Sequence, residues 1–78
     1  MNNKLKELRT KHGLTIRELG RKTNISAQAL SFYESGFRSP KFQYAERIAY
    51  FFSVPVESIF PQFKRMSPYE NNNTNKAV

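Results

Sequence analysis

The chain has 78 residues, no cysteine and a formal net charge of +7, from 13 Lys/Arg against 6 Asp/Glu. That length holds one domain with a modest core, and without cysteine no disulfide or thiolate metal site can brace it. No apolar run approaches the roughly 18 residues of a membrane span, and the polar, basic N-terminus has no signal-peptide pattern, so a soluble cytoplasmic protein is expected.

Residues 3–12 (NKLKELRTKH) place Leu5 and Leu8 three apart among charges, the spacing of a helix with one buried stripe. Gly13 ends it, because glycine takes the left-handed C′ conformation without a Cβ clash. Thr15-Ile16-Arg17-Glu18 is a capping box, in which the Thr15 hydroxyl accepts from Glu18 N–H and the Glu18 carboxylate reaches back to Thr15 N–H. A second helix is expected from Ile16 to about Lys22. Asn24 tolerates left-handed geometry, and Ser26 is a good N-cap for a third helix over Ala27–Glu34. Only Thr23, Asn24 and Ile25 separate the second helix from that cap, so two short helices meet at a sharp corner.

Ser35-Gly36 stops the third helix, and Pro40 stands near the start of a fourth, expected from about Lys41 to Phe52. Within it Phe42, Ala45, Ile48, Ala49 and Phe52 recur at helical spacing and face the core. Pro55 opens a short fifth helix holding Val56, Ile59 and Phe60, and Pro61 terminates it. Beyond Phe63 the sequence KRMSPYENNNTNKAV has few apolar residues; it cannot bury enough surface to offset the entropy of ordering, so residues 64–78 are expected to form a disordered tail. The domain proper is then 1–63, all-α, a compact five-helix bundle with a helix-turn-helix.

Charge is the first indication of function. Seven basic residues lie between Lys4 and Lys22, opposed there only by Glu7 and Glu18, and the pI is near 10.1. Such an excess favours a polyanion or an anionic surface, although a solvated basic face without a specific partner has the same composition. Short helices with a tight second-to-third turn on a basic chain point to DNA binding.

The stretches LKELRTKHGLT, REL, NIS, YESGFRSP, RIA and SVPVESIF, in this order and with these gaps, resemble the Cro/phage-repressor (XRE-type) helix-turn-helix family over residues 5–60. The resemblance implies a transcriptional regulator of double-stranded DNA, most simply a repressor bound to a palindromic operator as a homodimer. It makes the third helix the recognition helix, with Ala27, Gln28, Ser31 and Phe32 as base readers. Gln28 is the sharpest, because its amide can pair bidentately with adenine N6 and N7; Ala27 and Phe32 can only touch methyl groups or sugar. Phe32 has the alternative of a core or interface aromatic.

Phosphate contacts fall to Thr15, Arg17, Ser26 and Arg38: the first three stand at helix N-termini, where amide groups carry partial positive charge, and Arg38 in the loop where the family places a cation. Ile16 stands where the family has a phosphate-binding glutamine, a loss that Arg17 compensates. Gly20 replaces the family's small alanine at the helix-helix approach, Thr23 stands at a usually aliphatic position, and Ser53 replaces a usual glycine. Arg9 and Glu34 match a structural salt bridge joining the first helix to the end of the recognition helix.

Phe37, Tyr44, Tyr50, Phe51 and Phe63 are aromatics surplus to the expected core. Either Tyr50, Phe51, Val56 and Phe63 form a dimer interface on the fourth and fifth helices, or several of them extend a small core. His12, the lone histidine, has no cysteine, paired acids or Gly-rich phosphate loop around it, so no enzyme activity, metal, cofactor or small-molecule ligand is expected. No long basic amphipathic face addresses a membrane. The rival to DNA binding is a protein-interaction module, an antitoxin or a regulator's partner, with DNA binding weak or secondary.

Overall fold

The computed structural model describes residues 3–66, so the tail expected from Lys64 onward lies almost wholly outside the described residues. Five α-helices follow in order, α1 Leu5–Lys11, α2 Ile16–Thr23, α3 Ala27–Ser35, α4 Phe42–Phe52 and α5 Val56–Ile59, and no strand occurs among the described residues. A 3-10 turn, Pro61–Met66, follows α5. Helical structure therefore runs three residues past Phe63, where the domain was expected to end. Pro61 does stop α5, but its fixed φ also suits the first turn of a new helical segment.

Local chemistry accounts for the boundaries. Thr15 and Glu18 form a reciprocal capping box at α2, and the Ser26 hydroxyl accepts from Ala29 N–H at α3. Left-handed residues close four helices: Gly13 just past the His12 cap of α1, Asn24 after α2, Gly36 after α3 and Ser53 after α4. For α1, where Lys4 offers no side-chain cap, Asn3 stands in, its Oδ1 accepting from Leu5 N–H at 3.0 Å.

Each helix supplies the core. Leu5, Leu19, Leu30, Ile48 and Ile59, one from each of α1 to α5, are fully buried together with Phe60. Around them pack Ile25, Tyr33, Ala45, Ala49, Phe52, Val56 and Phe63. The chain closes on itself where Lys4 N–H donates to Ile59 carbonyl at 3.1 Å, tying the start of α1 to the end of α5.

Two of the expected interface residues belong to this core. Val56 is 6 % exposed and Phe63 is 8 % exposed; the Phe63 ring packs edge-on against Phe42 and Phe60. A side chain already removed from water by its own chain has no apolar area left for a second copy, so both leave the expected dimer surface. Tyr44 and Phe51 are half-buried against the core, whereas among the described residues Phe37 at 72 % and Tyr50 at 86 % are the exposed large aromatics. His12 is exposed and rests its ring edge-on against Phe52, with centroids 4.9 Å apart.

Candidate nucleic-acid interface

The corner between α2 and α3 depends on Gly20. A Cβ added there would lie 2.6 Å from the Ile25 carbonyl oxygen, closer than carbon and oxygen can approach. The absent side chain lets the turn fold back onto α2, where Ile25 N–H donates to Gly20 carbonyl at 3.0 Å. Even an alanine methyl would therefore push the two segments apart in this backbone. Thr23, 2 % exposed, satisfies its hydroxyl by donating to Leu19 carbonyl at 2.7 Å, so a polar group is buried here without an unmet hydrogen bond.

Three side chains outside the corner lock it in place. Arg9 Nε and Nη2 donate to the two carboxylate oxygens of Glu34, and Nη1 donates to Leu14 carbonyl at 2.7 Å. Both partners are nearly buried, at 12 % and 7 % side-chain exposure, so the fork fixes the C-terminal half of α3 against α1. Asn3 Nδ2 donates to Tyr33 carbonyl at 2.8 Å, a second tie to the same end of α3. Arg47 of α4 donates through Nη1 to the carbonyls of Thr23 and Asn24, both at 3.2 Å, placing a cation at the negative end of α2. Its guanidinium also lies 5.3 Å over the Tyr44 ring.

Neither Asn3 nor Arg47 emerged from the sequence. The only available signal for Arg47 was the general need of the last α2 carbonyls for a donor.

On this scaffold the exposed side of α3 carries Gln28 and Ser31 in full view, with Ala27 and Phe32 half-buried. Gln28 and Phe32, four residues apart, lie one turn above each other on one face. Arg38 lies alongside, its guanidinium 5.3 Å over the Phe32 ring, and Phe37 tilts against the same ring at 5.1 Å. An open groove between α2 and the start of α3 is edged by Arg17, Arg21, Asn24, Ser26 and Ala27. Thr15, Arg17, Ser26 and Arg38 are all exposed, and Ser26 lines both the groove of Arg17 and Arg21 and the adjoining hollow that holds Gln28, Phe32 and Arg38.

At the start of α2 the capping box takes up part of the polar capacity. Thr15 N–H donates to Glu18 Oε1 at 2.8 Å, and Glu18 N–H donates to the Thr15 hydroxyl at 3.1 Å. The Thr15 N–H held on its carboxylate, and then the Thr15 hydroxyl, keep the Glu18 carboxyl below its ordinary range, with Arg21 and Lys22 adding smaller pulls. Because the Thr15 N–H is already occupied, a phosphate here would meet the Thr15 hydroxyl, Arg17 and the first amides of α2.

Two short, capped helices joined at a glycine-dependent corner, with cations around the outer face of the second, define a helix-turn-helix domain. A helix-turn-helix family model matches residues 5–59. An uncharacterized HTH-type transcriptional regulator of Methanocaldococcus jannaschii is 42 % identical over 60 residues, covering 77 % of this chain and 91 % of the relative. Similar regulators of Archaeoglobus fulgidus and Bacillus subtilis are 32 % and 33 % identical over the same length, covering 77 % of this chain and 86 % and 91 % of theirs. The chain belongs to the Cro/phage-repressor (XRE-type) helix-turn-helix family.

Proposed function

We propose that this protein binds double-stranded DNA sequence-specifically and regulates transcription, acting as a repressor that covers a promoter in the cytoplasm. The observation that carries the reading is the exposed face of α3, bordered by Arg17, Arg21 and Arg38 and held rigid by the Arg9–Glu34 fork. In this reading α3 enters the major groove with Gln28 on an adenine and Ala27, Ser31 and Phe32 beside it. Arg17 and Arg38, with the helix N-termini at Thr15 and Ser26, hold the phosphates. The named function of the relatives, HTH-type transcriptional regulator, supports the same assignment.

A homodimer completes it. Tyr50, 86 % exposed on α4, and the half-buried Phe51 offer apolar surface for a second copy. Two-fold pairing would set the recognition helices about 34 Å apart, on half-sites one helical turn from each other.

Selection from a random-sequence duplex library at about 150 mM salt, where nonspecific binding is weak, tests the proposal. Enrichment of an inverted repeat with half-site centres one turn apart is the expected result. Well-folded protein that enriches nothing would instead favour a protein partner for the α3 face.

A further inference from the structure

We propose that Phe32, packed against both Phe37 and Arg38, reads the 5-methyl group of thymine. The proposal rests on the DNA-binding reading above and specifies what the apolar part of the α3 face recognises. Phe32 is neither a core residue nor a free surface side chain: it is half-buried on the second turn of α3. The Arg38 guanidinium lies 5.3 Å over its ring, and the Phe37 ring is 5.1 Å away at a 45° tilt. Arg38 N–H also donates to Phe32 carbonyl at 3.3 Å, so the loop that brings both neighbours is tied to the helix turn that carries the ring.

The chemistry of the ring narrows its target. A phenyl group has no hydrogen-bonding atom, so it discriminates base pairs only by apolar contact. On the major-groove edges of the four bases the one apolar substituent is the thymine methyl. Phe37, 72 % exposed, extends the apolar strip past the end of the helix instead of withdrawing into the core. Arg38 supplies what a protein-facing apolar patch would not need, a cation stacked over the ring face that suits the phosphate flanking a contacted base. Gln28, one turn earlier on the same face and lining the same hollow as Phe32 and Arg38, suits adenine. Together the pair favours A·T base pairs in each half-site.

The test uses the full chain and the duplex enriched in the library selection, with each thymine replaced in turn by deoxyuridine, which removes only the methyl. Dissociation constants are measured for the wild type, for Phe32→Ala and for Phe32→Gln, with helicity checked by circular dichroism. Losing one buried methyl should weaken wild-type binding about fourfold per half-site at one thymine position. Both variants should bind the thymine and uracil duplexes equally at that position. Should Phe32→Ala lose helicity because its packing against Phe37 and Arg38 is gone, Phe32→Gln, whose longer side chain refills part of that space, carries the comparison.

Wild-type protein that binds every uracil duplex as tightly as the parent overturns the proposal, as does a uracil penalty that persists in the variants. In either case the DNA-binding reading survives. A folded protein that enriches no duplex overturns both.

Discussion

Replacing Ser53 by glycine relaxes a strained backbone while leaving the surrounding packing intact. Ser53 closes α4 at φ 58°, ψ 43°, the left-handed region, and its side chain is exposed. Its own N–H donates to Tyr50 carbonyl at 3.1 Å and the next residue, Val54, to Ala49 carbonyl at 3.1 Å; these are backbone bonds that glycine keeps. An L-residue in this conformation costs about 1–2 kcal/mol. Glycine gives back about 0.5–1 kcal/mol through the greater freedom of its unfolded chain, leaving a net gain of about 0.5–1 kcal/mol.

In a domain of this size each kcal/mol moves the thermal midpoint by about 4–8 °C, so Ser53→Gly should melt about 4 °C higher by circular dichroism. Asn24 provides the control, because it closes α2 at the same φ 58° and ψ 43°. Asparagine visits this region readily, so Asn24→Gly should gain nothing and can lose a few tenths of a kcal/mol. A midpoint that falls in Ser53→Gly, or rises equally in both variants, would refute the reasoning.

The Arg9–Glu34 fork is nearly buried, and leaving Arg9 unpaired should make Glu34→Ala destabilising by about 3 kcal/mol in urea melts, whereas the double replacement Arg9→Met/Glu34→Leu should cost much less. Because Thr15 holds the Glu18 carboxyl below its ordinary value in the folded state, the contribution of Glu18 is present above that value and is lost as pH falls through the lowered one. Thermal midpoints should therefore drop more steeply below pH 4.5 in the wild type than in Glu18→Gln. Gln28→Ala should relax base preference at one position per half-site by about 1–3 kcal/mol, with folding unchanged, as read from a repeat selection. Arg38→Ala should weaken binding to all duplexes, most where Phe32 meets its thymine, and lower the salt slope by about 0.9; an unchanged slope would remove Arg38 from the phosphate contacts.

The sequence by itself determined where α2 and α3 begin and end, because those signals act within three or four residues. Thr15 with Glu18, Ser26 with Ala29, and the left-handed positions at Asn24 and Gly36 complete their hydrogen bonds inside one turn, so they could be read without knowing what lies across the core. The outward face of α3, with Gln28 and Ser31 exposed and Leu30 and Tyr33 buried, was legible from the family resemblance, which names the residues of that face. The family pattern added the pairing of Arg9 with Glu34, which spacing could not supply.

What remained for the tertiary structure were the contacts between residues far apart in the chain. Asn3 reaches Tyr33 across 30 positions and Arg47 reaches Thr23 across 24; nothing local to either residue encodes its partner. The surplus aromatics were equally undecided, because a phenyl ring is apolar whichever way it faces. Packing of α4, α5 and the 3-10 turn buried Phe63 and Val56 and left Tyr50 and Phe37 in water. Burial is a property of the assembled surface, so only the folded chain could divide those residues between the core and any face left for a partner.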